Sequence, residues 1–333
     1  MNSKPDDNIP FEERQYTSAY KFQSALLHPK HWPLWGLMAL LFLVGRLPFD
    51  WVVKLGRMVG RLFIKLGGSR VAVTRRNLEL CFPNKTPEER EQLLCKNFEA
   101  IGIACFEPGV AWFSSSKRIA KLGTETGLAD IISTISSGQG VLISALHMTT
   151  IEMACRLISE QCSFNILYRV HNNPVYEYVS NRCRISYRHK SRFIPRKQVR
   201  DIVHFMSQGE IGIILPDQDM GRGRSIFLPF FGIPAATITS TSDFSRLSDS
   251  AVFFTTAYLD ENNRYVMISK RVENFPTSDS IEDTKRIVQL TEQAILNNPD
   301  QYLWQHRRFK TRPEGEPSLY SRKEKKKSKR HID

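Results

Sequence analysis

The apolar positions divide the chain into a helical first part and a second part in which strands alternate with helices. Within residues 77–135 the spacing of Leu93, Leu94, Phe98 and Ile101 is helical, and Thr-Pro-Glu-Glu is a typical helix start. We therefore predict helices over residues 77–135 and expect no chemistry from them.

Short apolar runs replace this spacing after Gly140. They are VLISAL, FNILYRV, SRFIP, IGIILPD, AVFFTTAYL and RYVMISK, and helical stretches separate them. Strands that alternate with helices favour parallel pairing. The predicted fold class is therefore α/β, with a mixed, largely parallel sheet flanked by helices.

A run of fourteen uncharged residues, WPLWGLMALLFLVG at 32–45, lies before the helices. It is shorter than the roughly 20 residues that cross a bilayer core, although Trp32, Trp35 and Trp51 are spaced like the aromatic residues at membrane interfaces. We expect an N-terminal membrane-anchoring helix here. Whether it is a transmembrane helix or only dips into the bilayer stays open.

The next segment, KLGRMVGRLFIKL, has the pattern of an amphipathic helix. Lys54, Arg57, Arg61 and Lys65 fall on one stripe, and leucine, methionine, valine and phenylalanine occupy the other side. This pattern is typical of a helix that lies on anionic lipid. A buried core helix whose basic side chains reach solvent is the alternative.

The basic residues flank the predicted sheet rather than covering it. The formal net charge is +13, with seven basic and no acidic residues from Lys54 to Arg76, and eleven basic against four acidic from Trp304 to Asp333. Nucleic-acid binders more often spread this charge over a folded face, so we expect no nucleic-acid partner. The six cysteines show no metal-ligand spacing, which indicates a reduced compartment.

His147 and Glu152 are the first candidates for chemistry, in SALHMTTIE. Five positions on one helix differ by about 140°, so the two side chains meet only if His147 precedes the helix on the strand-to-helix turn. Thr149 or Thr150 would then cap the helix. A carboxylate behind such an imidazole would orient a general base. An unrelated His and Glu at this spacing is the alternative, and the absence of a second His at ligand spacing argues against zinc.

Two further segments carry candidate binding residues. Asp217 and Asp219 follow IGIIL, which assigns them to the carboxyl edge of the sheet where α/β proteins build sites, although an ordinary turn has the same composition. Arg169 ends another predicted strand, and Arg184 follows the Asn173-Pro174 turn on a helix. Arginines at this edge suit phosphate or carboxylate groups, with a solvated helix face as the alternative.

Together these motifs resemble the lipid A biosynthesis acyltransferases, and within them the lauroyl-type late acyltransferases of Gram-negative bacteria. The resemblance rests on His147-x-x-x-x-Glu152, Tyr168-Arg169 with Asn173-Pro174, Pro216-Asp217-Gln218-Asp219 and the closing block WQHRRFKTRPEG. It extends from about His28, through NLELCFP and KNFEAIG, to Tyr320.

The resemblance implies a glycerolipid-acyltransferase-like fold and transfer of a fatty acyl chain, most simply lauroyl, from acyl carrier protein to a hydroxyacyl chain of a Kdo-bearing lipid A precursor. It implies no cofactor and no metal, and a location on the cytoplasmic face of the bacterial inner membrane, in contact with its lipids. His147 and Glu152 match the family's catalytic pair, in which Glu152 would orient the ring. Arg184 and Asp217 match further family positions, and Arg169 and Asp219 join them as substrate-binding candidates.

The implied organisation has four parts: a polar N-terminal segment (1–27), the membrane anchor with its basic interfacial helix (28–76), the acyltransferase domain (77–320) and a basic disordered tail (321–333). Donors with myristoyl or palmitoleoyl chains remain alternatives. A membrane-bound esterase is another, although Gly-x-Ser-x-Gly is absent. A tethered binder of anionic partners is the non-enzymatic alternative.

Overall fold

The computed structural model describes residues 21–321. The predicted polar segment up to residue 20 and the predicted tail from residue 322 lie outside this range. The helices are α1 (Trp32–Val44), α2 (Phe49–Leu66), α3 (Ser69–Cys81), α4 (Pro87–Phe113), α5 (Ser116–Leu122), α6 (Leu128–Ser136), α7 (Ile151–Ser159), α8 (Pro174–Arg184), α9 (Val199–Ser207), α10 (Ser240–Ser248) and α11 (Ser280–Asn297). The strands are β1 (Gly123–Thr126), β2 (Val141–Ala145), β3 (Asn165–Tyr168), β4 (Arg192–Pro195), β5 (Ile211–Ile214), β6 (Ile226–Phe230), β7 (Ile233–Thr237), β8 (Ala251–Leu259) and β9 (Tyr265–Arg271).

A seven-stranded sheet forms the centre, in the order β1-β9-β8-β2-β5-β3-β4. Neighbouring strands are parallel except β8 and β9, which are antiparallel. The six apolar runs found in the sequence are six of these strands, because parallel strands covered by helices on both faces need continuous apolar side chains. The predicted α/β class with a mixed, largely parallel sheet is confirmed.

Residues 77–135 are not wholly helical, so that prediction was wrong at Gly123–Thr126. This segment is the edge strand β1, and it pairs in parallel with β9. Its sequence, GTET, contains no apolar run because the strand lies at the sheet edge with alternate residues exposed. The hairpin of β6 and β7 was also not predicted, although it forms a separate two-stranded sheet.

Helices α2 and α4 pack closely at glycines, where the backbone of one helix contacts that of the other. A Cβ atom at Gly60 would lie 1.9 Å from the carbonyl oxygen of Phe98, and one at Gly102 would lie 2.0 Å from that of Gly56. No larger residue fits there without separating the helices. The α2 segment is therefore fixed to α4, whose opposite end reaches the site.

The exposed side of α1 and α2 is apolar and basic at the same time. Trp32, Leu43, Trp51, Met58 and Leu66 are among its exposed apolar residues, between 61% and 73% accessible. Within α2, Val52, Val53, Gly56 and Gly60 are buried instead, while the four basic residues of the predicted stripe are exposed. Between residues 21 and 321, no helix combines the length and apolar character that crossing a membrane requires.

Candidate active site

The pairing of β2 with β5 brings His147 and Asp217 together. These parallel neighbours pair Ser144 with Ile214, and His147 and Asp217 each lie three residues beyond that pair. Both strands therefore end at the same edge of the sheet, and the two loops leave it side by side. His147 lies between the end of β2 and the start of α7, so its predicted position on a strand-to-helix turn is confirmed.

His147 and Asp217 form two hydrogen bonds. Nδ1 of His147 lies 2.7 Å from Oδ1 of Asp217, and the backbone N–H of His147 donates to Oδ2 at 3.0 Å. The Asp217 side chain is only 1% exposed, whereas that of His147 is 27% exposed. The carboxylate is thus enclosed and the imidazole is open to a substrate.

The environment keeps Asp217 ionised at neutral pH. Burial raises the pKa of its carboxyl, but the His147 charge and the two hydrogen bonds from His147 lower it more, to about 2. An ionised carboxylate only accepts hydrogen bonds, so Nδ1 of His147 carries the proton. Nε2 is then the basic nitrogen, and it has no hydrogen-bond partner within residues 21–321.

Glu152 does not orient the His147 ring, contrary to the expectation from the sequence. One of its oxygens accepts hydrogen bonds from Trp112 Nε1 at 2.7 Å, Arg184 Nε at 2.9 Å and Tyr187 Oη at 3.3 Å. The other accepts from Arg184 Nη2 at 2.5 Å. Glu152 lies in the first turn of α7 and points towards the end of α8, while Asp217 on the neighbouring strand's loop takes the position beside the imidazole.

The Glu152–Arg184 pair is a two-point ion pair in a buried setting. Burial raises the pKa of Glu152, but the charge and hydrogen bonds of Arg184 lower it by a larger amount, so the net shift is downward. For Arg184, burial lowers the pKa of the guanidinium. The nearby Glu152 charge raises that pKa by a larger amount, so the net shift is upward. The guanidinium also lies 5.0 Å from the ring centre of Phe193 and 5.7 Å from that of Trp112. Both groups therefore stay charged in a fixed geometry.

The remaining predicted residues are not part of these two clusters. Arg169 is exposed directly after β3, and no hydrogen bond or ion pair joins it to residues 21–321. Asp219 instead binds the closing segment. Its carboxylate oxygens accept from the backbone N–H of Thr311 at 2.6 Å and from the Thr311 hydroxyl at 2.8 Å. The contacts of Asp219 are those of a residue that holds a loop.

Residues 301–303, directly before the closing block WQHRRFKTRPEG, support the His147 turn from behind. The backbone N–H of Leu303 donates to the carbonyl of His147 at 2.9 Å, and that of Thr149 donates to the carbonyl of Gln301 at 2.8 Å. Tyr302 forms an isolated antiparallel bridge with Met148. The turn is therefore fixed by backbone hydrogen bonds of the kind that join antiparallel strands.

Two buried asparagines hold residues 300–306 in place. Asn97 donates to the carbonyls of Asp300 and Tyr302 at 2.7 and 2.8 Å and accepts from Gln305 at 2.7 Å. Asn77 donates to the carbonyls of Trp304 and His306 at 2.7 and 2.8 Å. These asparagines lie in NLELCFP and KNFEAIG, so the helices predicted to lack chemistry do position the site.

The start of α7 is stabilised by Glu107 rather than by a threonine. Thr150 is the N-cap residue, but its hydroxyl donates to the carbonyl of Ala257 at 2.7 Å. Glu107, from α4, accepts the backbone N–H of Met153 at 2.9 Å. Burial raises the pKa of the Glu107 carboxyl to about 8, so this group is neutral at pH 7. A carboxyl from a distant helix gives no local signal in the sequence.

A cavity of about 30 Å³ lies behind the His147 turn. Its lining is almost wholly apolar and includes Ile143, Leu146, Met148, Ile158, Ile213 and Leu215. Leu146 and Met148 are the neighbours of His147 in the chain, so this apolar surface begins at the turn. Within the described range, no group of three or more His, Cys, Asp or Glu side chains is placed to hold a metal ion.

Comparisons with known proteins place this geometry in context. The family model for bacterial lipid A biosynthesis acyltransferases matches residues 19–311. The chain is 34% identical to a lipid A biosynthesis lauroyltransferase of Escherichia coli K12, over 91% of this chain and 100% of that protein. It is 35% identical to the palmitoleoyltransferase of the same organism, over 90% and 98%. It is 25% identical to its myristoyltransferase, over 94% and 98%.

Proposed function

The chain belongs to the bacterial lipid A biosynthesis acyltransferase family, and from this premise we propose the reaction and its residues. The enzyme transfers a fatty acyl chain from acyl carrier protein to the hydroxyl of a hydroxyacyl chain on a Kdo-bearing lipid A precursor. The observation that carries the proposal is the His147–Asp217 pair, in which the partly exposed imidazole leaves Nε2 without a partner among residues 21–321.

In this mechanism His147 Nε2 removes the proton from the acceptor hydroxyl. The alkoxide oxygen attacks the thioester carbonyl, the carbon–oxygen bond forms, and the carrier leaves as a thiolate that takes the proton back from the imidazolium. Asp217 fixes the tautomer and stabilises the imidazolium through Nδ1. No covalent enzyme intermediate is needed.

Glu152 and Arg184 hold the substrate in this mechanism. Glu152 uses both oxygens to orient Arg184 through Nε and Nη2, which leaves Nη1 of Arg184 without a partner among residues 21–321. A guanidinium fixed in this way is a preorganised donor for an oxyanion or a phosphate oxygen. Arg169, exposed at the same sheet edge, adds charge for the headgroup or the acidic carrier.

The preferred donor chain is lauroyl, and palmitoleoyl is the second candidate. The apolar cavity behind His147 is too small for an acyl chain in this structure, so chain entry requires its aliphatic walls to separate. The identities to the lauroyl- and palmitoleoyltransferases, 34% and 35%, do not separate the two donors.

We also propose that α1 and α2 attach the enzyme to the cytoplasmic face of the inner membrane as a single N-terminal anchor. The exposed apolar side chains of α2 lie beside Lys54, Arg57 and Lys65, the composition expected of a helix at an anionic interface. Such a helix binds the surface without crossing the bilayer.

The test is an assay of the purified full-length protein with lauroyl, palmitoleoyl and myristoyl carrier proteins and a Kdo-bearing tetra-acylated acceptor, read by mass spectrometry. The expected result is one added acyl chain, with the lauroyl donor giving the largest kcat/KM. Absence of any mass gain contradicts the transferase. Release of free fatty acid without acceptor modification supports the esterase instead.

A further inference from the structure

A groove lined by arginines opens between the end of α1, the end of α4 and the segment after α8. We call it the arginine groove. It has a volume of about 670 Å³ and is lined by Arg46, Trp112, Phe113, Ser114, Ser115, Ser116, Arg118, Arg156, Ser186 and Arg188. No acidic residue lines it, so its charge is positive.

Three of the four arginines have no carboxylate partner among the described residues. Arg156 is neutralised by Glu160 at 2.6 Å. Arg118 donates only to backbone carbonyls, those of Gly45 and Leu47, and so holds the α1–α2 connection. The Arg46 guanidinium lies 4.5 Å from the ring centre of Phe42. Arg188 is exposed and has no partner within residues 21–321.

Two further observations indicate that the groove suits an anion. Burial lowers the pKa of Arg118, and the positive charge of Arg46 lowers it further, so these two guanidinium groups repel each other. The Ser114 residue is only 8% exposed, and its buried hydroxyl has no hydrogen-bond partner among the described residues. An anion between these groups would remove the repulsion and give the hydroxyl an acceptor.

The position of the groove favours a lipid over an acidic protein. Phe42 and Leu47, beside Arg46, are 40% and 39% exposed, so apolar surface continues directly from the rim. On the inner side, Trp112 both lines the groove and donates to Glu152. A group bound here is therefore at the headgroup level of the proposed membrane surface and one side chain from the Glu152–Arg184 pair.

From this arrangement we infer that the arginine groove binds a phosphate group of the acceptor lipid. A phosphate monoester carries nearly two negative charges and three acceptor oxygens, which suits several guanidinium groups and a hydroxyl. The inference rests on the proposed function, because it names the part of the acceptor that is held while the hydroxyacyl chain reaches His147.

The test compares acceptors with and without phosphate groups. In Arg46→Gln/Arg188→Gln the two least constrained arginines are removed, while Arg118 and Arg156 keep their structural contacts. The matched control, Arg200→Gln/Lys285→Gln, removes two exposed positive charges from α9 and α11. We expect the groove variant to raise KM for the phosphorylated acceptor by about tenfold or more, with little change in kcat or in KM for the carrier. The control keeps wild-type values.

The decisive arm uses the dephosphorylated acceptor. Wild type should lose about as much affinity for it as the groove variant loses for the phosphorylated acceptor, and the groove variant should lose nothing more. An equal loss with both acceptors overturns the inference. A rise in KM for the acyl carrier protein instead indicates a protein-docking surface and also overturns it.

A binding measurement separates this inference from the proposed reaction. His147→Ala protein in detergent micelles would bind the labelled acceptor without turnover, so failure of the wild type to transfer an acyl chain would not affect the result. Weaker binding by the triple variant with Arg46→Gln and Arg188→Gln, only when phosphate is present, supports the groove. If the triple variant binds the acceptor as well as His147→Ala does but sediments less with phosphatidylglycerol vesicles, the groove binds bulk lipid. That result overturns the acceptor assignment.

Discussion

Two buried carboxylates close to the same strand-to-helix turn have different partners. Asp217 binds an imidazole, whose second nitrogen can accept a proton from a substrate. Glu152 binds a guanidinium, which stays protonated. The first pair can therefore take part in proton transfer, whereas the second can only orient and attract. Identical chemistry at the carboxylate thus gives different roles, and the partner decides which.

The largest expected effect comes from Asp217→Asn. The amide cannot accept from Nδ1 with a full charge and favours the wrong tautomer, so kcat should fall on the order of 10³- to 10⁴-fold with KM nearly unchanged. Steady-state kinetics with a saturating donor measures this loss.

Combining Asp217→Asn with His147→Ala is the control for this prediction. The two residues act as one unit, so the double variant should be no slower than His147→Ala alone. A further loss in the double variant, or a loss below tenfold in Asp217→Asn, contradicts the pairing.

The second effect is that of Glu152→Gln, which weakens the hold on Arg184. We expect kcat/KM to fall about tenfold to hundredfold because the guanidinium loses its fixed position. The acid limb of the pH–rate profile should stay where it is in wild type, since the imidazole keeps its carboxylate. If Glu152 oriented the ring instead, this variant would match Asp217→Asn in size and move the acid limb.

The sequence predicted six of the nine strands described, the His147 turn and the edge that carries Asp217, because these depend on local apolar patterns and on parallel pairing. It did not predict which carboxylate binds His147. That choice depends on the β2–β5 register and on the direction of the Glu152 side chain, both of which are long-range properties. The same limit applies to Asn97 and Trp112, whose partners lie 203 to 208 and 40 residues away in the chain.

A smaller effect is expected for Trp112→Phe. The change removes one N–H donor from the Glu152 carboxylate and keeps a smaller aromatic ring, so a charge-assisted hydrogen bond worth about 1.5–3 kcal/mol is lost. We expect a lower Tm by several degrees and a severalfold lower kcat/KM. Trp51→Phe, at a tryptophan that is 65% exposed, is the matched control and should change neither.

The smallest effect on turnover involves Glu107, a third buried carboxyl that has neither imidazole nor guanidinium as a hydrogen-bond partner and whose expected effect is on stability. Its pKa of about 8 lies above the ordinary value near 4.5, so between these values the folded state holds a proton that the unfolded state releases. The free energy of unfolding therefore decreases as pH rises through this window, by at most about 1.4 kcal/mol per pH unit. Glu107→Gln keeps an acceptor for the Met153 N–H and removes the titration.

The difference in Tm between wild type and Glu107→Gln should consequently change with pH. Wild type should gain relative to the variant at pH 5 and lose relative to it at pH 8, in a thermal unfolding series. Glu88→Gln, at an exposed carboxylate in the first turn of the same helix, should shift Tm by a nearly constant amount. Parallel pH profiles for wild type and Glu107→Gln would mean that Glu107 ionises at its ordinary pKa, and would contradict the prediction.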